Sequence, residues 1–203
     1  MAEILTTVFF MFAVIDPIGT IPVYLEATKE FDIIHKKKIA IRASIMAFLI
    51  LLFFIVIGQV ILDGMEVSLD AFQISGGVIL FLFALTMIFG EGKPEQEKNR
   101  ITDYKHVTIF PIAIPSLASP GAIMAVVLMT NNQIYSIKEQ AITTFVVLIV
   151  IGITCLTLLT ANYLQKLIGS YGITVLSKIM GLILASYAIQ SILSGISNYF
   201  INF

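Results

Sequence analysis

Residues 4–27 read ILTTVFFMFAVIDPIGTIPVYLEA, an apolar run that Asp16-Pro17 interrupts near its middle. A helix needs about 20 residues to cross the hydrocarbon core of a bilayer, so a run of this length predicts a membrane span. It does not resemble a cleaved signal peptide, because no basic residue precedes it and Asp16-Pro17 breaks the part that should be smoothly apolar.

Five further apolar runs of similar length follow the first one. We predict spans at residues 39–62, 71–89, 107–130, 140–163 and 173–199. The composition agrees, because 58% of the residues are hydrophobic and 12% are charged, whereas soluble domains have about 45–50% and about 25%. Transmembrane strands would alternate polar and apolar residues, and these runs do not. The sequence therefore predicts an all-α membrane protein with six transmembrane helices.

The positive charges collect on one side of this six-span arrangement. Eleven of the 12 lysines and arginines lie on one face, and only Lys138 lies on the other. Cytoplasmic loops of membrane proteins are enriched in Lys and Arg. We therefore predict a multi-pass protein of the plasma (inner) membrane with both termini periplasmic or extracellular, and with residues 91–106 as a cytoplasmic linker.

The linker divides the chain into two halves of three spans each. Residues 1–90 are the first predicted three-helix repeat, and residues 107–203 are the second. Because three is an odd number, the second half enters the membrane inverted relative to the first. Gly181 in the sixth span follows Gly76 in the third by 105 residues, a weak echo of the repeat. The predicted fold is one membrane domain built from two inverted repeats.

The first span of each half contains a predicted helix break. Asp16-Pro17 lies near the middle of the first span, and Ser119-Pro120 lies near the middle of the fourth. Proline inside a helix costs about 3 kcal/mol or more, because it removes a donor and clashes with a carbonyl. As the first residue of a new helix it is favourable, and Asp or Ser before it can act as the N-cap. Both pairs therefore predict a helix that stops and restarts at mid-membrane, with an ordinary proline kink as the alternative.

Two helix breaks in one membrane domain indicate a binding site. Broken backbone is tolerated in a bilayer only where it is buried in protein or lines a wet cavity. Helix N-termini attract anions, and interrupted helices at matching places of inverted halves indicate the substrate site of a transporter. The candidate substrate-binding residues are Asp16, Pro17, Gly19, Thr20, Ser119, Pro120 and Gly121.

Asp16 is the one ionisable residue that we place deep in the membrane. A charge at the centre of a span costs at least about 2.5–3.5 kcal/mol on insertion scales, so such residues are usually functional. Asp16 could cap its own half-helix, carry a proton, or pair with a substrate ammonium. The sequence leaves these roles open, together with coupling to a proton or a sodium gradient.

Other classes of function find little support in the sequence. His35 and His106 both lie at the predicted cytoplasmic surface, which argues against an intramembrane hydrolase, so we expect no enzyme and no catalytic residue. The single Cys155 lies in an apolar run and offers neither a disulfide nor a metal cluster, and the net charge of −1 does not indicate a nucleic-acid partner. We expect no cofactor, and as partners a small-molecule substrate and the lipid bilayer. A homo-oligomer, a channel and an exporter of another small polar solute stay open.

Two motifs resemble those of a known family. Residues 12–22 resemble the first-helix signature of MarC-type inner-membrane proteins, and residues 110–115 with 119–122 resemble the fourth-helix signature. The likeness extends over essentially the whole chain. One departure is Ser119, which stands where the family commonly has the first Gly of a Gly-Pro-Gly-Ala motif.

The resemblance implies a place in the lysine-exporter-like superfamily, some of whose members transport small neutral amino acids such as glycine and alanine. A zwitterion suits the predicted site, because its carboxylate fits helix N-termini and its ammonium fits Asp16 or carbonyls freed at the breaks. A small side chain fits beside Gly19, Thr20, Ser119 and Gly121. We therefore expect a secondary transporter, an antiporter or a symporter, for glycine, alanine or serine.

Overall fold

A computed structural model describes residues 2–89, 104–132 and 134–201, and within these ranges the chain is helical and contains no strand. Most of the predicted linker at 91–106 lies outside the described residues. A π-helical segment, Thr108–Leu117, lies in the fourth predicted span. In chain order, the α-helices are α1 (Ala2–Ile15), α2 (Thr20–Ala27), α3 (Ile33–Gly64), α4 (Leu69–Phe89), α5 (Tyr104–Val107), α6 (Pro120–Met129), α7 (Ile137–Leu159) and α8 (Ala161–Ile201).

The helices account for the predicted spans. Five segments are long and apolar enough to cross a membrane: Ile4–Ala27, Ile33–Gly64, Leu69–Phe89, Ile137–Leu159 and Tyr171–Phe200. Two further segments, Tyr104–Leu117 and Pro120–Met129, meet at a bend of 55°. Counted together, they make a sixth span. The prediction of an all-α protein with several membrane spans is confirmed.

The second span is longer than predicted. α3 begins at Ile33, because the carboxylate of Asp32 caps it and accepts a 2.8 Å bond from the backbone N–H of His35. Its 32 residues rise about 48 Å at 1.5 Å each, whereas the hydrocarbon core is about 30 Å thick. α3 is therefore about 18 Å longer than the apolar layer is thick, and the lysines at 36–38 lie in its first turns.

The junction of the fifth and sixth spans also differs from the prediction. We expected the fifth span to run to residue 163, but α7 ends at Leu159. Thr160 is its C-cap, with non-helical φ −101° and ψ 8°, and both its backbone N–H (3.0 Å) and its hydroxyl (2.7 Å) donate to the carbonyl of Leu156. α8 then starts at Ala161 and is kinked at Gly169, whose φ of 72° is accessible to glycine. No apolar periodicity marks this junction in the sequence.

α4 packs against the later part of α8 through glycine. A Cβ atom added to Gly77 would lie 2.9 Å from the carbonyl oxygen of Ala188, and one added to Gly181 would lie 3.0 Å from that of Ala84. Gly195 makes a similar approach further along the pair. Small residues allow membrane helices to approach this closely.

The remaining helices enclose the apolar core. α3 contacts α7, the π segment and α6, and α1 contacts α7. Fully buried side chains at their centre include Met11, Leu51, Leu117 and Leu158. The outer surface of the bundle carries exposed large apolar side chains on several helices, as expected where lipid is the solvent.

Candidate functional site

The break in the fourth span lies at Ser119 and has the predicted geometry. Ser119 is fully buried and extended, with φ −69° and ψ 157°. Its hydroxyl oxygen accepts a 3.0 Å bond from the backbone N–H of Ala122, and Pro120 is the first residue of α6. The carbonyl of Ser119 accepts the N–H of Ile123 at 2.9 Å. Ser119 is therefore an N-cap with proline behind it, as predicted.

The backbone before this break is irregular over a longer stretch than the sequence suggested. Phe110 (φ −118°, ψ 126°) and Ile114 (φ −129°, ψ 130°) are extended inside the π segment. Each precedes a proline, and proline disfavours the helical conformation in the residue before it. The peptide bonds Phe110-Pro111 and Ile114-Pro115 are cis. Our prediction singled out only Ser119-Pro120 as the break, although the two upstream prolines carried the signal for this second irregularity.

The break in the first span is centred on Asp16 and is built differently. The backbone of Asp16 is left-handed, with φ 50°. Its N–H donates a 3.0 Å bond to the carbonyl of Phe12, which is the last helical bond of α1. One carboxylate oxygen accepts a 2.9 Å bond from the N–H of Gly19. The carbonyl of Asp16 accepts both the N–H (3.1 Å) and the hydroxyl (2.9 Å) of Thr20. A single residue therefore ends α1 and organises the turn into α2.

The prediction that a new helix starts at Pro17 is wrong by three residues. α2 starts at Thr20, its N-cap position is Gly19, and Gly19 makes no side-chain cap bond. The reason is the left-handed backbone of Asp16, which turns the chain before helical geometry can resume. Asp and Asn are among the few residues other than glycine that adopt this conformation readily.

Gly19 makes the turn at Asp16 unusually tight. A Cβ atom built on Gly19 would collide with a carboxylate oxygen of Asp16 and would lie 2.6 Å from its Cγ. Asp16 itself is 4% exposed. The buried carboxylate therefore rests directly on the Cα of Gly19, and no other residue type fits there without displacing it.

The two breaks occur at corresponding levels of two neighbouring spans. α1, which precedes the Asp16 break, contacts α6, which follows the Ser119 break. α2, which follows the first break, contacts the π segment that precedes the second. Crosswise contacts of this kind mean that the two spans run antiparallel and that their breaks lie near the same level.

A small cavity lies beside the fourth-span break. Its volume is about 20 Å³, and its lining includes Gly76, Gly121, Tyr187 and Ser191. A cavity needs about 10–15 Å³ to hold one water, so this one has room for water but not for an amino acid. A Cβ atom on Gly121 would lie 2.8 Å from a methyl carbon of Leu80, which closes the cavity on that side.

The structure thus divides the predicted site residues between two turns. Asp16, Pro17 and Thr20 are buried in the first turn with Gly19 half-buried beside them, and Ser119 and Gly121 are buried in the second. Pro120 is exposed. Of the seven, only Gly121 lines the cavity. Among the described residues, no three His, Cys, Asp or Glu side chains are grouped to hold a metal ion.

Two buried hydroxyls near the fourth span were missed by the sequence analysis. Ser116, on the π segment, and Ser44, on the neighbouring helix α3, are 4% and 3% exposed. Neither hydroxyl oxygen has a hydrogen-bond partner. Buried polar groups without a partner are uncommon and often mark sites where water or a ligand binds. Serine in an apolar run gives no signal in the sequence that its hydroxyl will be left in this state.

Comparison with known proteins gives one consistent result. The model of the family described as MarC family integral membrane protein matches residues 1–200. A UPF0056 membrane protein of Buchnera aphidicola subsp. Acyrthosiphon pisum is 31% identical over 206 residues, covering 100% of both chains. A UPF0056 membrane protein of Methanocaldococcus jannaschii is 34% identical over 189 residues, covering 92% of both. No solved structure matches the chain.

Proposed function

The chain belongs to the MarC family of integral membrane proteins, and on that premise we propose that it is a secondary transporter of small neutral amino acids. Glycine, alanine and serine are the proposed substrates, and a proton or sodium gradient supplies the energy. In this proposal six spans cross the plasma (inner) membrane with both termini outside, and residues 107–203 repeat residues 1–90 in inverted orientation. No catalytic chemistry is assigned to the chain.

The observation that carries the proposal is the pair of buried helix breaks in neighbouring antiparallel spans. A protein that only needed to fill a membrane would keep both helices continuous, since every broken turn costs backbone hydrogen bonds in a solvent that cannot replace them. The chain instead satisfies each break with a buried oxygen, from Asp16 in one span and from Ser119 in the other. Breaks at corresponding levels are what a mid-membrane substrate site requires.

The chemistry of the two breaks suits a zwitterion. α6 begins at the fourth-span break, and its N-terminal N–H groups and dipole favour a carboxylate. Asp16 supplies a buried carboxylate at the other break, where an ammonium would be stabilised by the opposite charge. The two turns therefore offer the two complementary charges that an amino acid carries at neutral pH.

Glycine residues support a small side chain in the substrate. Gly76 and Gly121 line the cavity at the fourth-span break, and Met124 and Leu80 already press against the positions where their side chains would be. A substrate with a large side chain would have to displace several packed residues at once. Substrate binding requires this cavity to open, and the irregular backbone of the π segment, together with the 55° bend after it, is where the span is least constrained by helical hydrogen bonds.

Transport by the full-length protein in liposomes tests the proposal. We expect uptake of labelled alanine driven by an imposed proton or sodium gradient, saturable, and competed by glycine and L-serine but not by tryptophan. Gly121→Ala should reduce alanine uptake more than glycine uptake, because the added methyl narrows the cavity. Gly152→Ala is the matched control, since its Cβ would meet nothing within 4 Å.

Two outcomes would contradict the proposal. Uptake that rises linearly with concentration and ignores stereochemistry would identify a channel. Absence of any gradient-driven amino-acid flux, with flux of another small polar solute, would identify an exporter of a different substrate class. Equal effects of Gly121→Ala and Gly152→Ala on uptake would show that the substrate does not bind in the cavity at Gly121.

A further inference from the structure

A second and larger cavity lies between α3 and the start of the fourth span, away from both helix breaks. Its volume is about 280 Å³. Six residues line it: Arg42, Ile45, Met46, Lys105, Thr108 and Ile109. None of the six is acidic. We call this cavity the basic groove.

The basic groove has two cations at one end. The Arg42 guanidinium lies 5.5 Å from the centre of the Tyr104 ring and donates a 3.3 Å bond to the Tyr104 hydroxyl. This packing holds Arg42 against α5, next to Lys105. Arginine binds phosphate through parallel N–H donors, and lysine adds a point charge, so the pair suits a phosphate monoanion or diester.

An exposed apolar stripe runs along α3 past the groove, and Ile45 of this stripe also lines the groove. Ile41, Ile45 and Leu49 follow one another every four residues on α3 and are 45%, 54% and 55% exposed. Phe110 is 49% exposed on the opposite wall. Residues four apart lie on one face of a helix, so the apolar stripe runs directly from the cationic end along the membrane-facing surface.

The depth of the groove in the bilayer can be inferred from the length of α3 and the predicted topology. Arg42 is nine residues beyond the start of α3, about 14 Å along an axis that exceeds the hydrocarbon thickness by about 18 Å. With most of that excess on the side of the lysines at 36–38, as the predicted topology requires, the cations lie near the headgroups and the stripe of Ile45 and Leu49 continues into the acyl region. Long basic side chains at this depth typically extend toward the interface.

From these observations we propose that the basic groove binds one anionic phospholipid. The phosphate lies between Arg42 and Lys105, the Thr108 wall closes the site, and one acyl chain lies along Ile45 and Leu49. A free phosphate or a soluble organic phosphate would satisfy the cations but would leave the adjoining apolar stripe without a ligand. Basic pockets between membrane helices are known to hold anionic headgroups, which is the chemistry proposed for this one. This site is independent of the proposed transport function.

Lipid titration of the purified full-length protein tests the site. The protein is placed in phosphatidylcholine nanodiscs, and its melting temperature is measured as phosphatidylglycerol replaces part of the phosphatidylcholine. A ligand that binds the folded state raises the melting temperature as its concentration exceeds Kd. We expect a phosphatidylglycerol-dependent rise, and one phosphatidylglycerol retained per protein in native mass spectrometry.

Charge-matched variants separate a specific site from general attraction. Arg42→Gln with Lys105→Gln removes two charges in the groove, and Lys166→Gln with Lys178→Gln removes two elsewhere. We expect the first pair to lose at least half of the phosphatidylglycerol-dependent shift and the retained lipid, and the second pair to keep both. Because Arg42 packs on Tyr104, Lys105→Gln alone and Leu49→Gln serve as variants that leave this contact in place, and each should weaken lipid retention.

Three results would overturn the proposal. Equal losses in the two charge-matched pairs would show that only net charge matters. A shift of the same size when phosphatidylethanolamine, which has no net charge, replaces part of the phosphatidylcholine would show that the anionic headgroup is not recognised. Full reproduction of the shift by glycerol phosphate in solution, with Leu49→Gln unaffected, would identify a soluble phosphate as the ligand instead of a lipid.

Discussion

The turn at Asp16 and the turn at Ser119 both interrupt a buried span, and both satisfy the backbone N–H of the residue three positions on. At Asp16 the backbone is left-handed and a carboxylate oxygen accepts from Gly19 at 2.9 Å. At Ser119 the backbone is extended and a hydroxyl accepts from Ala122 at 3.0 Å. The fourth span therefore shows that a neutral oxygen is sufficient to cap a break in this bundle.

The contrast raises the question of why the first span carries a carboxylate. A buried charge is more costly in a membrane than a hydroxyl, and the capping bond alone does not require it. Asparagine would also accept the Gly19 N–H and adopt the left-handed backbone. Asp16 differs from a neutral cap in its ability to ionise. A residue that couples transport to a gradient, or that pairs with an ammonium, needs this ability.

The largest expected effect comes from removing only that ability. Asp16→Asn should reduce gradient-driven alanine uptake to the level of protein-free liposomes, while leaving the melting temperature close to that of the parent protein. The physical reason is that the amide keeps the acceptor oxygen but can neither carry a proton nor pair with an ammonium at full strength. Uptake in liposomes and thermal unfolding of the same preparation are the two measurements.

Near-normal uptake by Asp16→Asn would reduce Asp16 to a cap and make the two breaks equivalent in function. Asp16→Ala provides the comparison, since it removes both the charge and the acceptor and should lose about 0.5–2 kcal/mol of capping as well as transport.

The next largest effect is expected at the close contact beneath Asp16. Gly19→Ala places a methyl group where the Asp16 carboxylate now lies, and overpacking of a well-packed interior typically costs about 1–3 kcal/mol. We expect a clear drop in melting temperature. Gly152→Ala, whose new methyl group meets nothing within 4 Å, should leave it unchanged.

A double substitution sharpens this prediction. If the penalty of Gly19→Ala arises from the carboxylate, it should largely vanish in an Asp16→Ala background, where there is nothing left to collide with. Strict additivity of the two losses would mean that the methyl group clashes elsewhere or that the turn responds to Gly19 for another reason.

A smaller effect is expected at the other break. Ser119→Ala removes the cap of α6 and should destabilise the protein by about 0.5–2 kcal/mol, whereas Ser119→Gly should cost only a few tenths. Thermal unfolding of the three proteins side by side measures the series. A Ser119→Ala variant as stable as the parent protein would show that the 3.0 Å bond to Ala122 contributes little and that the proline alone sets the break.

The smallest effect is expected just upstream of Ser119. Ser116→Ala and Ser44→Ala each remove a buried hydroxyl that has no partner. Deleting an unsatisfied polar group avoids its desolvation penalty, so both variants should be as stable as the parent protein or slightly more stable. A loss of more than about 1 kcal/mol in either variant would contradict this and would reveal a bound water or ion that the hydroxyl holds.

The sequence predicted the features of this protein that local chemistry or the bilayer decides. Spans follow from run length, because hydrocarbon thickness fixes how many residues a helix needs. The Ser119 cap follows from the Ser-Pro pair itself. The Asp16 turn was only partly predictable, because Asp-Pro indicates a break but not the left-handed backbone of Asp16 that moves the start of α2 to Thr20. The state of Ser44 and Ser116 was not predictable, because a helix that is apolar on every side gives no periodicity from which burial can be read.

The glycine-mediated contact of α4 with α8 has a mechanical consequence. Where two helices touch through their backbones, no layer of side chains lies between them that could rotate and let them separate. We therefore expect the pair to move as one rigid body. Shape change in the bundle is then left to backbone that is already irregular, at Asp16 and along Thr108–Leu117. Distances between paired spin labels on α4 and α8 should stay constant. Distances from this helix pair to the fourth span should vary.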